Sequence, residues 1–149
     1  MTWIGLDIGS RRIGVAVSDN RGIIAQPLTT LATRNHGDFP LEELRGLLAE
    51  REVTGIVVGL PRRLDGSHGP AATAAEAIAT WLAEVLAVRV ELWDERLTSV
   101  QAERLLVEAG VRRKQRKGAT DRIAAALILQ GFLDHRSMLA GAVTEDIEP

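Results

Sequence analysis

The rhythm of apolar and polar positions changes several times along this chain, and each change predicts an element. Residues 3 to 9 (WIGLDIG), 13 to 18 (IGVAVS) and 23 to 28 (IIAQPL) read as short strands. The SRR and DNRG segments between them have the lengths and residue types of hairpin loops, so an antiparallel meander is expected. Phe39, Leu41, Leu44, Leu47 and Leu48 then recur at helical spacing over 38 to 51, with Pro40 in the first turn. TGIVVGLP is wholly apolar, the pattern of a strand buried on both faces. After a polar loop, RRLDGSHG, Pro70 opens an alanine-rich helix through Leu86 that carries Ile78, Trp81, Leu82 and Val85 on one side, and VRVELWDE is the fifth strand. Thr98 to Ala109 begins like a capping box, with Thr98 at the cap, Gln101 three residues on, and Gly110 placed to end the helix. The loop VRRKQRKGAT leads to a last helix, Asp121 to about Arg136. The order is βββαβαβαα, an α/β domain over 1–136. Residues 137–149 turn acidic and lose periodicity, as a loosely held tail does.

Composition narrows the picture. The 149 residues are 46% apolar, enough chain to bury roughly two-thirds of its unfolded surface in one domain. Eighteen Lys and Arg stand against twenty Asp and Glu, a net charge of -2, so any polyanion must be met by a local basic patch. There is no cysteine, hence no disulfide and no thiolate metal site. The N-terminus enters strand-like sequence without a basic-then-apolar signal segment, and no apolar run is long enough to span a bilayer. The expectation is a soluble cytoplasmic protein with no membrane partner.

The chemistry starts with a carboxylate inside an apolar strand. Alternation puts Trp3, Gly5, Asp7 and Gly9 on one face and Ile4, Leu6 and Ile8 on the other. A buried carboxylate must be ion-paired, protonated or metal-bound, and Arg11 and Arg12 across the turn are candidate partners for Asp7. Strand glycines imply that something approaches the backbone closely. Two further acidic sites change the picture. The fifth strand ends in DERLTS, where Asp94 and Glu95 point to opposite faces, and strand C-termini are where open α/β sheets place their sites. Asp121 opens the last helix, where a capping or dipole role is the ordinary account. No histidine or cysteine cluster accompanies the three acids. Such oxygen-only clusters suit Mg²⁺ or Mn²⁺, and two ions about 4 Å apart can activate water and stabilise the leaving oxygen of a displacement at phosphorus. Phosphodiester hydrolysis follows.

The blocks GLDIGSRRIGVAVSD, VVGLPRRLDGS, ELWDERLTSVQAE and TDRIAAALILQGFLD resemble, in order and spacing, those of the YqgF/RuvX family, described as Holliday junction resolvases and as pre-16S rRNA nucleases. The resemblance runs from about Trp3 to His135. It implies a ribonuclease H-like fold, a five-stranded mixed sheet with its first three strands antiparallel, and a divalent-metal nuclease acting on RNA or branched DNA. It carries the strand-one acid onto Asp7, the strand-end acid onto Glu95 with Asp94 as alternate, and the helix acid onto Asp121. RKGAT, before Asp121, departs from the apolar stretch expected there, which bears on where the last helix starts. Resolvases of this fold commonly work as dimers, so a homodimer is an open possibility.

Two other classes compete. GLDIGS with VAVSD also resembles the first phosphate motif of actin-like ATPases and sugar kinases, but those close two such domains around a nucleotide, and this length supplies one. A non-cleaving RNA-binding or ribosome-assembly factor on the same fold is the other, and retention of all three acids argues against it. Substrate contacts are expected around the acids: Arg11 and Arg12 in the first turn, Arg62 and Arg63 after the fourth strand, Arg96 and Thr98 after Glu95. Arg112, Arg113, Lys114, Arg116 and Lys117 crowd one loop, where like charges repel unless a polyanion neutralises them. Trp93 reads as core, and His36, His68 and His135 receive no catalytic role.

Overall fold

In the first two strands every second residue turns to the same side, and that alternation organises the whole molecule. The computed structural model describes residues 1–33, 38–61, 67, 69–95 and 113–147. Strands β1 (Thr2–Ile8), β2 (Arg12–Ser18), β3 (Ala25–Ala32), β4 (Val53–Leu60) and β5 (Arg89–Asp94) form one sheet in the order β3-β2-β1-β4-β5. β1 pairs antiparallel with β2, and β2 with β3; β4 runs parallel to both β1 and β5. This is the expected mixed sheet with its first three strands antiparallel.

Ile4, Leu6, Ile13, Val15, Ile56, Val58 and Leu60 face helices α1 (Leu41–Ala49) and α2 (Pro70–Leu86), and close a core with Leu44, Ala72, Ala75, Ala79 and Leu82. The other face belongs to helix α3 (Arg113–Ile147), whose Ala125, Ile128, Leu129 and Leu133 pack on Trp3, Ala16 and Val57. Glycine lets α3 come close. A Cβ on Gly5 would stand 2.8 Å from Leu129 Cβ and 3.0 Å from the Ala125 carbonyl, and one on Gly14 would overlap the Asp121 carbonyl. The partner that the glycines admit is therefore the last helix, its backbone included.

Several boundaries differ from the pattern reading. Helix α1 spans Leu41–Ala49 rather than 38–51, with Pro40 at its N-cap rather than in the first turn, because a residue before proline such as Phe39 is kept out of helical backbone. β3 spans Ala25–Ala32 rather than 23–28, because the turn before it is longer. Asp19 accepts hydrogen bonds from the Ile23 and Ile24 amides at 2.7 and 3.2 Å and holds both residues in the turn, half-exposed. Pro27 is tolerated because β3 is an edge strand. The last helix starts at Arg113, eight residues before Asp121, and continues to Ile147. Lys, Arg and Gln are good helix formers, and in RKQRKGAT only Gly118 opposes the extension. Ser137 to Ala140, read as the start of a loose tail, continue this helix with exposed side chains. The expected helix Thr98 to Ala109 lies outside the described residues. No described helix is long and apolar enough to cross a membrane.

Candidate active site

Two acids, Asp7 and Glu95, meet at the end of the sheet where β1 and β5 finish, and a third, Asp121, comes from α3 within electrostatic reach of Asp7. Asp7 is the last α3-facing residue of β1 and pairs in register with Gly14 of β2. Glu95 follows β5 directly, anchored by its amide donating to the Leu60 carbonyl at 3.2 Å. Its carboxylate lies against Gly59, where a Cβ would overlap Oε2. Asp94 pairs opposite Leu60, whose side chain belongs to the α1/α2 core. Of the two neighbouring acids, Glu95 thus shares the α3 face with Asp7. Asp121 sits in the third turn of α3, so it is not a helix-capping residue.

The electrostatics of the pair are strained. Burial lifts the Asp7 carboxyl from 3.8 to about 6, the charge of Asp121 adds to this, and a hydrogen bond from Glu95 opposes it. Glu95 rises further, from 4.5 to about 8: burial is again the main cause, followed by the charge of Asp7, the hydrogen bond to Asp7 and the charge of Asp94. The two carboxyls therefore share a proton that resides on Glu95 near neutral pH. Glu95 Oε2 is buried and accepts no hydrogen bond among the described residues. No described cation pairs with Asp7. Arg12, the candidate partner across the turn, is instead bound to Asp121, Nε to Oδ2 at 2.8 Å.

A buried pair of hard oxygen donors with an orphaned oxygen and no counter-charge among the described residues has the chemistry of a Mg²⁺ or Mn²⁺ site, since such ions are often held by one or two carboxylates and complete their shells with water and phosphate. Asp7 and Glu95 fit that description. Among the described residues, no three His, Cys, Asp or Glu side chains are gathered closely enough to hold an ion, and Asp121 is turned toward Arg12.

The expected substrate contacts divide. Arg11 is exposed in the β1–β2 turn, and Arg12 is occupied by Asp121. Arg113, Lys114, Arg116 and Lys117 lie on the first turns of α3 rather than in a loop, which places them on the element that carries Asp121. Arg62, Arg63, Arg96, Thr98 and Arg112 lie outside the described residues, as do His36 and His68. The pattern reading missed Arg122, which donates to Thr30 Oγ1 of β3 at 3.5 Å, and only its position beside Asp121 could have signalled it. Trp93 packs edge-on against Phe132 with centroids 6.3 Å apart and lies 5.4 Å from the ring of His135, in keeping with a core role.

The family model described as "RuvX: Holliday junction resolvase" matches residues 1–135. A Halothermothrix orenii protein named "Putative pre-16S rRNA nuclease" is 45% identical over 141 residues, covering 95% of this chain and all of its own. A Myxococcus xanthus protein of the same name is 50% identical over 137 residues, covering 91% of this chain and 90% of its own. Among solved structures, the fowlpox virus resolvase bound to Holliday junction DNA superposes with a TM-score of 0.54 at 10% identity, over 91% of this chain and 98% of that one. Thermus thermophilus RuvC with its junction substrate gives 0.50 at 18% identity, over 92% and 96%. These two show the fold, which is ribonuclease H-like.

Proposed function

Starting from a chain that belongs to the RuvX family, we propose that it is a divalent-metal-dependent nuclease that hydrolyses phosphodiester bonds of structured nucleic acid, with precursor 16S rRNA as the favoured substrate and branched DNA as the second. The observation that carries the metal reading is the Asp7–Glu95 pair: two buried carboxyls, driven toward protonation, with no described cation beside them. A structural ion pair would lower such acids, and these rise. The relatives' names favour RNA over a non-cleaving or nucleotide-binding role.

Asp7 and Glu95 would hold Mg²⁺ or Mn²⁺, with Asp121 the third acid at its edge. The ion supplies activation of the attacking water and stabilisation of the leaving oxygen. The chain supplies the rest. As ligands Asp7 and Glu95 would both be deprotonated, so metal binding there would be linked to loss of the proton that the pair holds. The cations at the start of α3 and Arg11 bind backbone phosphates, which sets the strand's position without reading its sequence. Glycine on the strands keeps α3 close, so the acid on the helix stays within electrostatic reach of the acid on the strand.

The test is incubation of purified protein with end-labelled precursor 16S rRNA fragments and four-way junction DNA, each with Mg²⁺, Mn²⁺ or EDTA. Metal-dependent cleavage of the RNA is expected, and Glu95→Gln should remove it. Cleavage that persists in EDTA, or binding without cleavage under every metal condition, refutes the proposal.

A further inference from the structure

The contact that does not fit a ready-made three-acid site is the bond between Arg12 and Asp121. It is a long-range pair, 109 residues apart in sequence, with Nε and Oδ2 at 2.8 Å, and it is partly shielded: the side chains are 40% and 23% exposed. Both ends are fixed by backbone. The Arg12 carbonyl accepts from the Gly9 amide at 2.9 Å, which closes the β1–β2 turn directly after Asp7. Two residues on, Gly14 lies under the Asp121 backbone, where a side chain would collide with the carbonyl. Arg12 is therefore not a freely swinging surface charge. It is built onto the same turn that ends the strand of Asp7, and it reaches across to the acid on α3.

We propose that Arg12 is a positioning residue that acts as an internal counter-ion: it holds Asp121 in the metal-free protein, and a divalent ion at Asp7 and Glu95 draws Asp121 away from it. The inference rests on the metal reading above. The Asp121 backbone lies over Gly14, the register partner of Asp7, and in the metal-free protein the Asp121 carboxylate takes its counter-charge from Arg12. A guanidinium and a metal ion supply the same neutralisation to the same oxygen, so they compete for it. This explains why no described group of three acids is gathered around one point even though Asp121 lies over the register partner of Asp7. Release of Asp121 would also free a guanidinium beside the site when substrate phosphate is present.

Mn²⁺ titration calorimetry without nucleic acid tests the competition. Arg12→Gln is expected to bind Mn²⁺ about three- to tenfold tighter than wild type, the size of a partly exposed charge interaction. Arg12→Lys, which keeps the charge, should stay near wild type. In an Asp121→Asn background, Arg12→Gln should lose its effect, because the competitor's target is gone. A second measurement needs no variant to fold. In ¹⁵N-labelled wild type, the Arg12 Nε–H held by Asp121 should exchange with water about tenfold faster once Mg²⁺ saturates the site. Equal or weaker Mn²⁺ binding by Arg12→Gln, or Nε–H protection that survives Mg²⁺, overturns the inference while leaving the metal reading intact. Failure of the wild type to bind Mn²⁺ or Mg²⁺ overturns both.

Discussion

Asp7→Asn should make the metal-free protein more stable at pH 8 while removing its cleavage activity. In the wild type, burial and the neighbouring acid raise the Asp7 carboxyl from 3.8 to about 6, so the folded chain holds that proton more tightly than the unfolded chain. The sign follows from linkage. A carboxyl whose folded value is raised carries no penalty below about pH 4, loses stability as the pH climbs from 4 to 6, and keeps the full penalty above 6. At about 1.36 kcal/mol per pH unit, that penalty is about 3 kcal/mol. Glu95 extends the same trend toward pH 8, but the two are not additive, because each value already contains the other's charge. Asparagine keeps the shape and drops the charge. Its own buried amide costs part of the gain, so about 1–2 kcal/mol should remain, or a Tm rise of about 2–8 °C for a chain of this size. The assay is thermal unfolding of both proteins in EDTA at pH 5 and pH 8. The rise should be present at pH 8 and largely gone at pH 5. A variant less stable than wild type at pH 8, or an equal difference at both pH values, refutes the reasoning.

Glu95→Gln and Asp121→Asn should each lower cleavage by about a hundredfold or more, and Asp94→Asn far less, measured as initial rates at saturating Mn²⁺. A dead Asp94→Asn beside an active Glu95→Gln would reverse the facing of the two acids. Gly14→Ala should cost about 1–3 kcal/mol, read as a lower denaturation midpoint, because the helix backbone over it cannot yield without moving Asp121; an unchanged midpoint would show that α3 is not seated there. Arg113→Gln with Lys114→Gln should weaken binding evenly across sequences and flatten the salt dependence of log Kd by about one unit per lost phosphate contact. Coincident slopes would remove this part of α3 from the substrate path.

Much of the fold was legible because its signals are local. Strand alternation set the faces of β1, and the unbroken apolar run of β4 marked a strand covered on both sides. The boundaries that moved depend on side chains acting across a turn or on propensity outvoting charge. Asp19 pulls Ile23 and Ile24 out of β3, and lysines and arginines read as a repelling loop are helix formers once Asp121 and its neighbours are anchored. The sequence offers the three acids as candidates but not their relations. That Arg12 would choose Asp121 over Asp7 depends on packing α3 onto Gly14, a contact between residues more than a hundred positions apart.

The acids share one structural grammar, which ties the site to the core. Asp7 continues the α3-facing series of Trp3 and Gly5, Glu95 continues that of Trp93, and Asp121 is the polar head of the stripe formed by Ala125, Ile128, Leu129 and Leu133. Each carboxylate stands where an apolar series that is already immobilised by packing reaches the end of the sheet. The backbone near each acid is tied to this packing, so moving like charges apart would disturb the core. The repulsion must instead be met by a proton on Glu95, by Arg12 on Asp121, or by a bound cation. Glycines at 5, 14 and 59 make this worse by letting α3 and Glu95 press onto the strands. A protein selected for stability alone would neutralise the acids. Keeping the acids unneutralised beneath α3 costs folding stability, as groups kept for function do.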